Sequence, residues 1–326
     1  IRARLGLYFS DAPSRVPSLV RLTRQHMDIP AGESHYTVVD SYRLDVDVDV
    51  HTIAPHAHYL ATRIDSFAIL PDGSRKPLIS IPDWNIHWQD VYRYVQPVSL
   101  PAGTTVVMEY VYDNSASNPF NPSTPPKRVR YGQRSSDEMA ELFLQVTTKS
   151  SADRAKLSAG VRAKVLREEI IGHVKMLEAD PNNAALHDDV ALLYVEGGDL
   201  DRARAHFLET LRINPRSPAA YYNVGSVLLR EEKRQAAADY FDKAIALKPN
   251  YGLALERLGA IAHAAGRLEL AVAHYERAAD AFAAVGDFDR ALAVMKSGLE
   301  LAAENTDTQR RLQRRAVAYS EQRQYE

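Results

Sequence analysis

The first half of the chain alternates. In "SHYTVVDSYRLDVDVDV", residues 34–50, apolar and polar side chains change places at nearly every step, the period of a strand with one buried face. "YLATRIDSFAIL", "TTVVMEYVY" and "MAELFLQVTT" carry the same pattern. Turn chemistry separates them: Pro71-Asp72-Gly73, Pro101-Ala102-Gly103 and the Asn- and Pro-rich "YDNSASNPFNPSTPPKRV". Short strands at short spacing, without a helical period, predict an antiparallel β-sandwich over residues 1–150.

After Ser151 the period becomes 3.6 and the composition turns to Ala, Leu, Glu and Arg. Residues 151–180 predict an amphipathic connecting helix. From 181 onward a repeat governs the chain. Pro181, Pro215 and Pro249 lie 34 apart, as do Ala203, Ala237 and Ala271, and Phe207, Phe241 and Tyr275. Val190-Ala191, Val224-Gly225 and Leu258-Gly259 keep that spacing. Small residues let two helices approach, the aromatic fills the space between pairs, and proline ends the second helix. The pattern resembles the tetratricopeptide repeat, which implies an α-helical solenoid over 181–326. The turn at Gly286 follows that at Gly266 by only 20 residues, so the last unit is degenerate, one longer helix serving two roles. "QRRLQRRAVAYSEQRQ" predicts a charged capping helix.

Composition adds bounds. A length of 326 residues suits two domains. A net charge of −2 gives no reason to expect a nucleic-acid or anionic-membrane partner, and no apolar run approaches the ~18 residues a membrane helix requires. Without cysteine there is no disulfide and no thiolate metal site. The opening "IRARLGLYFS" starts directly in strand-like sequence and reads as the continuation of a longer protein.

Candidate chemistry lies in "DVDVHTIAPHAHYLATRI", residues 47–64. In a strand, residues two apart share a face about 6.6 Å apart, so His56 and His58 can converge on one ion, with Ala57 pointing away. Pro55 suits an edge or a strand end. His51, an odd number of residues from His56, falls on the opposite face of a continuous strand. His51, His87 and the pair His26-Met27 are expected to be ordinary surface or core residues.

"PHAHYLAT", "DWNIHWQDVYRY", "PVSLPAGT", "YDNSASNPFNPSTPPKRVRYG" and "SSDEM" together resemble, in order, the C-terminal domain of the copper type II, ascorbate-dependent monooxygenases of bacterial type. The resemblance implies a jelly-roll-like sandwich, an extracytoplasmic location and one copper held by His56, His58 and Met139. Two imidazoles and a thioether suit Cu(I). Met139 would open the strand "MAELFLQV", with Met139, Glu141 and Phe143 on one face and Leu142 and Leu144 in the core. The substrate-facing positions depart from the peptide-hydroxylating members: Ala54 replaces an Arg, Glu141 an Asn and Phe143 a Tyr. A peptidylglycine substrate is therefore not expected. The family's second copper belongs to a preceding domain, missing here, and "RARLGLYF" resembles the segment that follows it.

Two functions follow as expectations. One is copper-dependent hydroxylation with O2 and an external reductant such as ascorbate, with this chain supplying the oxygen-binding half. The other is a non-catalytic tetratricopeptide interaction module with a vestigial or copper-carrying sandwich. For a protein or peptide partner, the repeat register offers Asp188, Tyr222, Ser226, Arg230, Glu256 and His263 as groove residues, with Glu196 nearby. Asp188 and Leu192 stand where a carboxylate clamp would need Lys and Asn, so that clamp is not expected.

Overall fold

A computed structural model describes residues 16–302 and 306–323. The resemblance drawn from "RARLGLYF" lies outside the described residues. The chain divides into two compact units, 1–176 and 177–326.

In the first unit, β1 (Ser18–Thr23), β10 (Glu141–Thr148), β4 (Val48–His56) and β7 (Tyr92–Leu100) form one sheet in that order. β3 (Tyr36–Arg43), β8 (Thr105–Tyr112), β5 (Ala61–Ile69) and β6 (Arg75–Ile81) form a second. β2 (Asp28–Ile29) pairs separately with β9 (Val129–Arg130), and every strand pair is antiparallel. Leu22, Val50, Ile53, Leu142 and Leu144 of one sheet share a core with Ile64, Ala68, Met108, Tyr110 and Tyr112 of the other. The alternation predicted this burial, but "SHYTVVDSYRLDVDVDV" is two strands rather than one. Leu44 and Val46 stay buried as the chain passes from β3 in one sheet to β4 in the other, so the alternation runs unbroken through the crossing. Gly73 and Gly103, at φ 83 and 86°, make the predicted turns.

Helix α1 (Ser151–Ala179) begins in this unit. Its Leu157, Val161 and Val165 join the β core, and Lys164 is buried against Asp40. The predicted connecting helix is therefore, over 151–176, a structural part of the first unit.

The second unit is a run of antiparallel helix pairs: α2 (Ala184–Gly197), α3 (Leu200–Ile213), α4 (Pro218–Arg230), α5 (Arg234–Leu247), α6 (Gly252–Ala264), α7 (Leu268–Ala283), α8 (Phe288–Leu301) and α9 (Thr306–Arg323). Asn183, Asp199, Ser217 and Asp287 cap their helices by accepting first-turn N–H groups. Ala203, Ala237 and Ala271, with Phe207, Phe241 and Tyr275, are buried as the repeat predicted. Helix α7 packs against both α6 and α8, which is how one helix serves two roles and shortens the last spacing to 20 residues. Among the described residues no helix is long and apolar enough to cross a membrane.

Candidate functional site

The histidine pair of the first unit sits at the end of β4. His56 is the last residue of that strand, opposite Glu141 of β10. His58 follows in the irregular segment after it. Their rings lie 5.2 Å apart, edge to face. His56 Nδ1 is 2.7 Å from the Gln89 side-chain oxygen, and His58 Nδ1 is 2.9 Å from the Asp137 carbonyl oxygen. Both partners are acceptors, so both Nδ1 atoms carry hydrogen, and in the neutral ring the lone pair is then on Nε2.

Glu138 builds the segment around them. It is fully buried, and its Oε2 accepts N–H bonds from His58 at 2.6 Å and Met139 at 2.9 Å. Its Oε1 accepts the Leu60 N–H at 2.8 Å. One carboxylate oxygen thus ties the main chain at His58 to that at Met139. Burial pushes the Glu138 carboxyl up to about 7 against the pull of these amides. The sequence offered Glu138 only as the middle of "DEM"; that it receives several amides follows from a loop closure no local pattern reveals.

Other expectations need correction. Met139 does not open β10, which starts at Glu141; Met139 lies two residues earlier, partly buried, with its carbonyl accepting the Tyr112 hydroxyl at 2.7 Å. Glu141 is not an open acid. It is 4% exposed and receives Arg21 at 2.5 Å, with the Thr23 and Tyr131 hydroxyls each at 3.3 Å. Phe143 and Ala54 are register partners and both half-buried, with the Arg21 guanidinium 5.8 Å from the Phe143 ring. His51 does not keep the parity of a continuous strand, because the pairing of β4 slips beside it, on both neighbouring strands. His51 bonds Thr147 Oγ1 at 2.9 Å. His87 is exposed beside Tyr59, and His26 approaches Glu168 at 3.4 Å while Met27 is core. Among the described residues no three His, Cys, Asp or Glu side chains converge as a metal-ion set.

The second unit holds a groove of about 300 Å³ along α2, α4 and α6. Tyr222, Ser226 and Arg230, three of the six predicted residues, line it. Leu192, Val195, Phe207 and Leu229 supply apolar wall, and Asn223 and Arg257 complete it. Asp188 lies on α2, half-buried, its carboxyl bonded to the Thr210 hydroxyl at 2.8 Å and pushed up by burial. Glu256 is paired with Arg290 at 2.8 Å, and His263 lines a different recess. Among the described residues Arg230 and Arg257 have no ion-pair partner, and the Ser226 hydroxyl is buried without a hydrogen bond. Asn223 and Arg257 were missed, yet they occupy one repeat position, 34 apart, next to Tyr222 and Glu256.

Residues 190–252 and 228–285 match the tetratricopeptide-repeat family model. The second unit carries tetratricopeptide repeats. No curated protein matches the chain. Similar solved structures include MamA, at 25% identity over 48% of this chain and 95% of that one, TM-score 0.33. The first TPR of Spaghetti (RPAP3), bound to the HSP90 peptide SRMEEVD, is 24% identical over 42% and 93%, TM-score 0.29. MamA from Desulfovibrio magneticus RS-1, from residue 41, is 18% identical over 52% and 89%, TM-score 0.39. None of these findings supports the resemblance to copper monooxygenases, so the interaction-module expectation is the better supported of the two.

Proposed function

We propose that this chain is a protein-interaction module whose tetratricopeptide groove docks an extended, acidic peptide segment of a partner. The observation that carries the reading is the state of the groove's polar groups. Arg230, Arg257, Asn223 and Ser226 offer donors there, while the nearby acids Asp188 and Glu256 already have partners. Donors without acceptors among the described residues, beside Leu192, Val195 and Tyr222, suit carboxylates interleaved with apolar side chains. A random octapeptide display library selected on the full chain tests this. Expected are sequences rich in Asp and Glu beside Leu, Ile or Phe, with binding lost in Arg230→Glu/Arg257→Glu. Selected peptides that depend on Tyr222 but lack acids would keep the groove and reject the acidic partner; no groove-dependent peptide at all would reject both.

A second reading concerns the first unit. Among the described residues the eight principal strands, counted along the chain, run 1-8-3-6 in one sheet and 2-7-4-5 in the other, which supports the jelly-roll reading. With both Nδ1 atoms engaged by acceptors, the Nε2 atoms of His56 and His58 have the preparation that metal-bound imidazoles usually show. Together with Met139 they would hold one copper ion, a donor set that favours Cu(I). Competition against a Cu(I) chelator decides it: His56→Ala and Met139→Ala should each weaken binding, and unchanged affinity in both would reject the site.

A further inference from the structure

The first repeat contains an unusual pair. His187 of α2 and His206 of α3 face each other with their Nδ1 atoms 2.9 Å apart. His187 Nε2 lies 3.2 Å from the Pro181 carbonyl oxygen, which can only accept, so that nitrogen carries hydrogen. In the neutral ring His187 Nδ1 is then an acceptor, and His206 Nδ1–H donates to it. His187 is buried, and Tyr194 stacks on His206 with ring centroids 5.6 Å apart. One repeat further on, the same two positions hold Tyr221 and Tyr240, rings 6.1 Å apart. In the third they hold Leu255 and His274.

We propose that this pair is an acid-sensitive latch: the first repeat is closed while the two imidazoles share one Nδ1 hydrogen and opens when each carries its own. The second repeat, built on tyrosines at these positions, has no such response.

Two fully protonated rings would set N–H against N–H, so the closed pair holds at most one added proton. An opened pair takes two, near the ordinary imidazole value of about 6.5. Burial, and then the neighbouring His187, hold His206 below its ordinary value. Below about pH 6.5 the open state binds more protons, so closure weakens as pH falls. The surrounding charges do not cancel this. On α2, Asp188, bonded to Thr210, interacts with His187 and favours a charged ring, but burial raises its own carboxyl, which weakens that pull as pH falls. On α3, Glu209 favours a charged ring but pairs with Arg212 at 2.6 Å, and Arg202, over Tyr194, adds positive charge. Helix α4, packed against α3, contains no acid and no histidine. Because α2 and α3 supply Leu192, Val195 and Phe207 to the groove, opening the latch would dismantle one wall of it. That consequence rests on the proposed groove; the latch itself does not.

Hydrogen exchange of the full chain, read by mass spectrometry at several pH values and corrected for intrinsic exchange, tests the latch. One withheld proton changes the opening equilibrium tenfold per pH unit once pH is well below about 6.5 and by less near it, so protection over 184–213 should fall roughly 15-fold between about pH 6.5 and 5. Protection over 218–247 should hold. His187→Tyr/His206→Tyr, which copies the second repeat, should abolish the difference. If that variant does not fold, ring 15N shifts of the two histidines in the unaltered chain decide, a coupled titration being expected. The latch is overturned by an equal fall in both repeats, by a fall that survives in the tyrosine variant, or by two independent titrations near the ordinary value. None of these measurements uses a peptide, so losing the latch leaves the groove reading standing, and losing the groove leaves the latch.

Discussion

Lys164→Met should unfold the first unit at lower denaturant while sparing the repeats. Asp40 of β3 is 5% exposed and has two partners, the Thr23 N–H at 2.8 Å and the Lys164 ammonium. Lys164 also donates to the Thr23 carbonyl at 3.2 Å. Burial pushes the ammonium below its ordinary range, while Asp40 holds it up. Methionine preserves the stem and removes the charge, so Asp40 is left buried with one N–H. Breaking such a pair from one side costs about 3–5 kcal/mol, and the surviving amide argues for about 3. At an m-value of about 2 kcal/mol/M in urea, the midpoint falls by ~1.5 M. The assay is intrinsic fluorescence, because both tryptophans, Trp84 and Trp88, lie in the first unit. Adding Asp40→Asn removes the stranded charge and should recover most of the loss, to within about 1 kcal/mol. A single variant that shifts the fluorescence midpoint by less than about 0.3 M, or a double variant no better than the single, would refute the reasoning.

Three further outcomes follow from local geometry. Gly225→Ala would place a methyl group 2.7 Å from Phe241; its propensity gain of about 1 kcal/mol is outweighed by an overpacking cost of about 1–3, so thermal unfolding followed at 222 nm should come earlier. Glu232 adopts φ 62° where the neighbouring repeats have Gly198 and Gly266 at φ 81 and 71°; Glu232→Gly should therefore stabilise the repeats by roughly 0.5–1 kcal/mol in the same assay. Glu138→Gln leaves at least one of the amides of His58, Leu60 and Met139 without an acceptor, a loss of about 1–3 kcal/mol in tryptophan-detected unfolding; an unchanged midpoint would show that the carboxylate does not organise that loop.

The two units were legible in different degrees. The repeats were readable because each helix pair meets its neighbours at a fixed sequence distance, so packing leaves a period of 34 in the chain itself. Even the irregular last unit showed itself as a shortened spacing, since a helix with two packed faces, α7, replaces two helices with one each. The strands showed their inward faces just as clearly, but not their partners. Nothing local distinguishes a strand that continues from one that crosses between sheets with its alternation intact, as at Leu44 and Val46. The slip beside His51 was invisible for the same reason: a bulge is set by how two strands pair, and each strand read alone keeps its alternation.

Two candidate residues, Glu141 and Glu256, read differently in sequence and in structure for one physical reason, the pairing of charges across long sequence distances. Glu141 read as an acid facing substrate because its strand position is what the sequence specifies; that Arg21, 120 residues earlier, neutralises it is a tertiary fact. Glu256 read as a groove acid until Arg290 took it, and Arg257, unremarkable in sequence, became a groove cation because no acid among the described residues took it. A binding surface is defined less by which charges lie on it than by which remain unspent after folding. In this groove the unspent groups are donors. A partner that brought only donors would leave two guanidiniums desolvated without acceptors, at a cost of several kcal/mol. Charge reversal at Arg230 and Arg257 should therefore change which peptides bind, from acidic to basic, as well as how tightly. A reversed groove that still selected acidic peptides would place the recognition elsewhere on the array.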